Sequence, residues 1–327
     1  FKQKTAYEIR LSLVGSEMCI RDRLGIIMHS DVIQPFYFSG QPVRGAIVKL
    51  QNSYIESLNG HDYPPIVNAL LGECLASTLL MGVHLKHQAR LSLQARGNGI
   101  IHLLMGEAQL KINPGELNQH SIRAVARLKD PYDASAEASL KLDELIGQGH
   151  LAITIEPEEG ERYQGIVEAK AASLSACLEN YFQQSEQLPT TMQLITSPTM
   201  AAGLLIQRMP AAKDKNSASV AQADNLWEEL NTLAATVSQN ELLALDTEIL
   251  LYRLFHEHAV TLSPAEKVCF DCSCSEQRTG QALLKIGVKE VSALLKLDNE
   301  VVMDCEFCSA RYRFTQSKLQ QLGMKFN

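Results

Sequence analysis

The chain has 327 residues, of which 46% are hydrophobic, and its formal net charge is −7 at pH 7. This length allows two domains with a sizeable core, and the composition is typical of a soluble globular protein. The acidic balance argues against a nucleic-acid-binding protein, which normally carries a basic surface. No apolar run reaches the ~18 residues that span a bilayer, so we expect neither a membrane nor a nucleic-acid partner.

The residue pattern of the first 23 residues is unlike that of the rest of the chain. The stretch "AYEIRLSLVGSEMCIRDR" resembles a translated sequencing adapter. We therefore expect residues 1–27 to be a non-native leader, with the native protein beginning near Met28. Cys19 would then carry no function. The alternative is a genuine leader that is poorly ordered.

Residues 28–213 are predicted to form a mixed α and β domain with an antiparallel sheet. The stretch "PPIVNALLGECLASTLLMGVHLKH" begins with proline and is apolar all round, which favours a buried helix. Alternating segments follow, and they predict two hairpins with turns at residues 97–99 and 159–160. The final strand of this domain, "AAGLLIQRMP", is predicted to end at Pro210.

A second predicted helix of this domain begins behind Ser173, which is a suitable N-cap residue. Its apolar residues recur at helical spacing and include Cys177. Cys74 lies inside the first apolar helix. We interpret both cysteines as core thiols, because a free cysteine on a buried stripe packs as a small hydrophobe.

Residues 214–265 are predicted to be an acidic helical linker. They contain eight acidic and two basic side chains, a net charge of −6. One apolar stripe consists of Val220, Leu226, Trp227, Leu230, Leu233, Ala234 and Val237. A second helix, "DTEILLYRLFHEH", is predicted to be capped near Asp246 or Thr247. The apolar faces are too small for an independent core, so we expect both helices to pack on a neighbour and to have low intrinsic stability.

Residues 266–327 form the third predicted segment, with nine basic and eight acidic side chains. Two short helices are expected in "SEQRTGQALLKIG" and "VKEVSALLK". Two strands, "EVVMDC" and "ARYRF", flank a Cys-Glu-Phe-Cys turn. About 60 residues with so few large apolar side chains need an additional cross-link in order to fold, and a bound metal would supply it.

Five of the eight cysteines lie in this last segment. No secretory signal precedes them in residues 1–23, so we expect a reducing cytoplasm, where clustered thiols indicate metal or redox chemistry. Cys305 and Cys308 form a Cys-x-x-Cys turn, and the upstream partners are either Cys272 with Cys274 or Cys269 with Cys272. Four sulfurs match tetrahedral Zn²⁺.

The spacing of the cysteines does not by itself indicate what such a metal site is for. Four thiolates leave no open position for a substrate, which argues against catalytic zinc. A purely structural zinc is one interpretation. The other is a redox switch, because oxidised sulfur no longer ligates and a domain that folds by binding metal would then unfold.

An enzyme in the first domain is the main competing hypothesis, and the sequence does not favour it. The chain contains no P-loop, G-x-G-x-x-G, His-Glu-x-x-His or G-x-S-x-G motif. The run His61-Asp62-Tyr63 is interpreted as a turn that caps the following helix, and Arg162-Tyr163 as strand and surface residues. A further alternative is a constitutive zinc-stapled module that binds protein partners in either redox state.

The chain resembles the 33 kDa chaperonin family, the redox-regulated holdases of the bacterial cytoplasm, over about residues 31–315. The Cys-x-Cys and Cys-x-x-Cys pairs match the zinc motif of that family. Further matching segments are "HDYP" (61–64), "EGERYQGIV" (159–167), "CLENYFQQSEQLPT" (177–190) and "LYRLFHE" (251–257). The resemblance implies an α+β protein with an antiparallel sheet, a helical linker and a small C-terminal zinc domain.

The resemblance also implies a function and a site. Zinc would be bound by Cys272, Cys274, Cys305 and Cys308, and the reduced protein would be inactive. Oxidation would form the disulfides Cys272–Cys274 and Cys305–Cys308, release zinc and unfold the tail and linker. The activated protein would dimerise and hold unfolding clients without ATP. Cys269 lies outside this pattern as a possible extra thiol of open role.

Overall fold

The computed structural model describes residues 30–113, 115, 117–129, 141–210 and 217–326, with no side-chain description for residues 217–222. The predicted leader, including Cys19 and the proposed start at Met28, lies outside the described residues. Val220 of the predicted linker stripe belongs to the segment whose side chains are not described.

A large, almost entirely antiparallel sheet dominates the described residues. Its strands are β1 Val32–Phe38, β2 Val43–Leu50, β3 Ala89–Gly97, β4 Ile101–Leu110, β5 Gln119–Leu128, β6 Gly149–Pro157, β7 Tyr163–Glu168, β8 Thr190–Ser197, β9 Met200–Arg208, β10 Val260–Leu262 and β11 Glu266–Phe270. The strand order is β7-β6-β3-β4-β5-β11-β1-β2-β9-β8, with β10 beside β1. The hairpins β3–β4 and β6–β7 are those predicted from sequence. The predicted strand before Pro210 is β9.

Helix α2, Pro65–Gly82, is the predicted apolar helix, and it lies at the centre of the main core. By length and composition it could cross a membrane, so the expectation that no apolar run reaches this length is wrong. Its buried share of 67% instead marks it as the core helix around which the sheet is built. Helix α1, Asn52–Leu58, precedes it, and α3, Leu142–Ile146, adds its buried apolar side chains to the same core.

Helix α4, Leu174–Tyr181, begins as predicted, because the Ser173 hydroxyl accepts a hydrogen bond from the Ala176 backbone N–H. A short π-helical turn, Phe182–Glu186, continues it. Cys74 and Cys177 are each 1% exposed, which confirms their interpretation as core thiols. Burial raises the pKa of the Cys74 thiol to about 12, so this sulfur stays protonated and unreactive.

The linker helices are α5 Ser217–Ala235, α6 Gln239–Ala244 and α7 Thr247–Phe255. They cover the second face of strands β1, β2 and β9 and form a separate apolar cluster with it. This cluster contains Phe36, Phe38, Val43, Ile47, Ala202, Leu204 and Ile206 from the strands, and Trp227, Leu230, Ala234, Val237, Leu242, Leu250, Leu251, Leu254 and Phe255 from the linker. The prediction that the linker packs on a neighbour is confirmed.

Strands β10 and β11 return the chain to the large sheet after the linker helices, so the last residues of the predicted helical linker are a strand, β10. β11 lies between β1 and β5, antiparallel to the first and parallel to the second. Its Glu266 carboxylate accepts a hydrogen bond from the Asn118 side chain at 2.8 Å and lies 2.6 Å from the His120 ring. The strand therefore ties the start of the cysteine-rich tail to the sheet.

The tail contains α8 Glu276–Ile286, α9 Val288–Asp298, the hairpin β12 Glu300–Asp304 with β13 Arg311–Thr315, and α10 Gln316–Gln321. The two helices and two strands predicted from sequence are confirmed. In keeping with its few large apolar side chains, this segment has only a small cluster of seven buried side chains: Leu283, Val291, Leu295, Val301, Phe314, Leu319 and Met324. Together with the large sheet and its helices, these elements confirm the α+β class.

Candidate metal centre

The cysteines of the tail lie in two loops that face each other. Cys272 and Cys274 stand between β11 and α8, whose N-terminus is capped by Ser275. Cys305 and Cys308 occupy the tight turn between β12 and β13. Hydrogen bonds from Cys305 N to Ala310 O (2.9 Å) and from Ser309 N to Cys305 O (2.8 Å) close this turn. The short hairpin therefore sets the direction of both downstream thiols.

The four sulfurs converge on one point. All four Sγ atoms lie within 4.8 Å of one another. The separation is 3.6 Å between Cys272 and Cys305 and 3.3 Å between Cys274 and Cys308. Zinc–sulfur bonds of about 2.3 Å place tetrahedral ligand pairs about 3.8 Å apart, whereas a disulfide needs about 2.05 Å. The four thiols are thus spaced as ligands of a single ion, and they could hold a metal.

Cys269 takes a different position. It lies on β11 opposite Ser121 of β5, and its Sγ lies 3.5 Å from the His120 carbonyl oxygen, to which it donates. The Gln119 side-chain amide also donates to this sulfur at 3.5 Å. The structure therefore places Cys269 in the sheet and leaves it outside the group of four.

The environment of the four thiols is uneven. Burial raises the pKa of Cys272 and of Cys308. Burial also opposes ionisation of Cys274, but hydrogen bonds from the Tyr312 hydroxyl, at 3.1 Å, and from neighbouring thiols outweigh it and lower its pKa. Sequence analysis missed Tyr312. The alternating pattern of "ARYRF" predicts a strand, but nothing in the local sequence indicates which side chain Tyr312 contacts.

The metal centre docks on strand β5 through Arg123, which sequence analysis also missed. Its guanidinium forms a 2.6 Å ion pair with Glu107, and both side chains are largely buried, at 15% and 13% exposure. The same guanidinium donates to the Ser273 hydroxyl at 3.1 Å and lies 3.9 Å from the Cys272 sulfur. It also stacks over the Phe307 ring, 4.2 Å from the centroid. One side chain therefore contacts both cysteine loops.

The loop around His61 forms the second half of the docking surface. The Ser309 hydroxyl donates to the Gly60 carbonyl at 2.9 Å, and a Cβ at Gly60 would lie 2.7 Å from the Cβ of Ser309. His61 Nε2 lies 3.4 Å from the Phe307 carbonyl and its ring stacks on Tyr63. No side chain of this run caps helix α2, so the predicted capping role is wrong. The loop instead contacts the cysteine turn.

We expect Arg123→Ala to loosen the docked tail more than Arg127→Ala. Arg127 pairs with Glu306 at 2.6 Å, but both side chains are more than half exposed, so this pair contributes only about 0–1 kcal/mol. Loss of Arg123 leaves the Glu107 carboxylate buried and unpaired, which costs about 3 kcal/mol. Hydrogen exchange of the backbone amides at 305–309 should therefore accelerate strongly in Arg123→Ala and little in Arg127→Ala. Equal rates in the two variants would contradict this assignment.

Comparison with known proteins shows the family to which this chain belongs. The family model described as Hsp33 protein matches residues 31–315. The 33 kDa chaperonin of Shewanella sp. strain MR-4 is 40% identical over 287 residues, covering 88% of this chain and 93% of the relative. The 33 kDa chaperonin of Pseudomonas aeruginosa strain UCBPP-PA14 is 40% identical over 296 residues, covering 90% and 95%.

A solved structure has the same fold. The crystal structure of the 33 kDa chaperonin from Thermotoga maritima superposes with a TM-score of 0.71 at 20% sequence identity, covering 89% of this chain and 97% of that one. An α+β protein with a four-cysteine centre is thus the class that fold and site define. The chain belongs to the Hsp33 family of chaperones. This membership supports a chaperone function.

Proposed function

We propose that this protein is a redox-regulated, ATP-independent holdase of the cytoplasm that is inactive when reduced and zinc-bound. One observation carries the proposal: the linker helices cover an apolar sheet face, and the chain runs from them through β11 directly into the converging cysteines. A structural change at the sulfurs can therefore reach the linker helices through β11, and those helices cover a large apolar surface.

The ligands proposed for the ion are Cys272, Cys274, Cys305 and Cys308. Their sulfur-only donor set and their spacing favour Zn²⁺. Zinc, when bound, would keep the four sulfurs as thiolates and cross-link the two loops. The seven-residue core of the tail is small for a segment of this length, so its stability depends on that cross-link.

In the proposed oxidation, the thiolates reduce hydrogen peroxide. Each pair, Cys272–Cys274 and Cys305–Cys308, forms one S–S bond and gives up two electrons. One peroxide molecule per pair takes up these electrons and two protons and leaves as two water molecules. The pairing follows the family resemblance, because four sulfurs within 4.8 Å do not by themselves select partners. Disulfide sulfur is no longer a thiolate ligand, so the two loops separate.

Separation of the loops would release the tail from Arg123 and then destabilise the linker. An acidic segment with a net charge of −6 stays hydrated when it unfolds. The face left behind contains Phe36, Ile47 and Leu204, now 0–1% exposed. An apolar patch of this kind captures exposed apolar segments of unfolding proteins. The apolar sheet face and the linker stripe are the two candidate client surfaces, and in the structure they pack against each other.

The remaining elements of the proposal follow the family resemblance. Residues 28–213 would bind clients and form the homodimer of the oxidised state, residues 214–265 would act as the releasable linker, and residues 266–327 as the switch. Unfolding proteins would be the partners, with neither nucleic acid nor membrane among them. We propose no catalytic role for His61, Asp62, Arg162 or Tyr163.

A constitutive zinc-stapled interaction module is the second candidate. It is favoured by apolar side chains on the outer surface of the tail, where Leu297 is 78% exposed, Ile286 51% and Leu294 46%. Such a module would bind its partner equally in both redox states. The holdase would bind clients only after oxidation.

The decisive experiment combines zinc stoichiometry, a thiol-trapping mass map and light scattering of a heat-denaturing client, before and after peroxide. We expect one zinc per reduced chain, loss of zinc with formation of the two disulfides, and suppressed aggregation only in the oxidised sample. The reduced Cys308→Ser variant should contain much less than one zinc per chain, because one of the four ligands is removed. The Cys269→Ser variant should bind and release zinc as the unmodified protein does. If peroxide leaves the zinc bound and aggregation unaffected, the switch is refuted.

A further inference from the structure

A cavity on the α2 side of the sheet is separate from the metal centre and from the linker. It has a volume of about 240 Å³ and lies where the C-terminal end of α2 meets β2, β3, β6, β7, β9 and the π-helical turn. Its walls are mostly apolar, from residues such as Leu80, Leu91, Ile153 and Leu205, with a few polar groups. Apolar walls with a few placed polar groups are typical of small-molecule sites.

One end of this cavity has polar groups without suitable partners. His84 Nε2 is buried and has no hydrogen-bond partner among the described residues. Burial and the nearby Arg44 guanidinium lower the pKa of His84 to about 3, so its ring is neutral. Arg44 donates from Nε and Nη2 to the Gln207 side-chain oxygen, at 3.1 and 2.7 Å, but no carboxylate of the described residues forms an ion pair with it. A half-buried cation without a counter-ion beside an unpaired imidazole favours an anion.

The other end of the cavity carries a cluster of hydrogen-bonded side chains. The hydroxyls of Tyr163 and Tyr181 lie 3.0 Å apart and both donate to Glu186 Oε1 at 2.7 Å. Glu186 ends the π-helical turn, and Gln187 follows with φ at +56°. π-helical turns occur frequently at functional sites. The family-like segments 159–167 and 177–190 meet here, and the proposed switch uses neither.

We infer that this cavity is a binding site for a small organic carboxylate with an apolar body, such as a medium-chain fatty acid. The carboxylate would accept from Arg44, and from His84 Nε2 after a small turn of the ring, since that nitrogen has almost no exposed surface in this structure. The apolar chain would lie on the apolar walls towards Tyr163. Since a water molecule occupies about 30 Å³ in the liquid, the volume suits a ligand of roughly eight to ten non-hydrogen atoms. The inference does not depend on the redox switch, because no cysteine of the tail lines the cavity.

The test is titration of the reduced full-length protein with octanoate below its micelle concentration. Binding is followed by calorimetry and by the methyl NMR signal of Met81, which lines the cavity. We expect saturable one-to-one binding that shifts the Met81 signal. Arg44→Gln and His84→Phe should each weaken it by about tenfold or more, through loss of a charge-assisted contact in the first and of a donor in the second.

A control variant and two further probes test separately what the carboxylate and the apolar chain contribute to binding. The exposed Arg96→Gln should bind octanoate like the unmodified protein, and circular dichroism checks that each variant is folded. Octan-1-ol, which lacks the carboxylate, and acetate, which lacks the apolar body, should both bind at least about tenfold more weakly. The inference is overturned if octanoate does not saturate, if Met81 does not respond, or if either probe binds as tightly as octanoate.

Discussion

The Leu230→Asp variant is expected to suppress aggregation of a heat-denaturing client in the fully reduced state, without peroxide. Leu230 is 0% exposed in the cluster between the linker and the sheet. An aspartate there is a buried charge without a partner, which destabilises the packed linker by about 3–5 kcal/mol. The linker should therefore detach from the sheet, and the apolar face should become available without any change at the sulfurs.

The zinc content of this variant distinguishes its effect from oxidation. Zinc should remain at one per chain, because the cysteines belong to neither the linker nor its apolar cluster. Asn225→Asp is the matched control, since it places the same side chain at an exposed position of α5 and should leave the reduced protein inactive. A Leu230→Asp protein with a detached linker and no holdase activity would rule out the covered face as the client surface.

We expect peroxide to move the fluorescence emission of Trp227 to longer wavelength. Trp227 is the single tryptophan of the chain, and it is 9% exposed against the sheet. If loop separation at the cysteines releases the linker, this indole passes from an apolar environment into water and becomes accessible to a soluble quencher. The measurement therefore reports linker release directly, whereas thiol trapping reports only the sulfur chemistry.

Reduction followed by added zinc should restore the original emission, since the native contacts of the linker re-form. Cys269→Ser should respond to peroxide as the unmodified chain does, because this sulfur lies in the sheet, 3.5 Å from the His120 carbonyl. An unchanged Trp227 signal in a sample whose four cysteines are all oxidised would show that the tail and the linker are not coupled.

Much of the local structure could be predicted because its causes are local. The apolar run of α2, the Ser173 cap and the alternation in β3 and β6 each concern residues near one another in the chain. The two cysteine pairs likewise suggested a four-sulfur centre by their spacing. The composition of residues 214–265 indicated helices that need a neighbour, since their apolar stripes could not close a core alone.

Only the tertiary structure decided which neighbour those helices find and which cysteines meet. Spacing alone left Cys269 open as an alternative to Cys274, but the pairing of β11 with β5 holds Cys269 in the sheet. Arg123 and Tyr312 reach the cysteines because β5 and β13 bring them there. Arg123 and Cys272 are 149 positions apart in sequence, and no local pattern encodes such a contact. A contact over this distance in sequence depends on which strand edge is free to pair and on which surface remains apolar once the rest of the chain has folded.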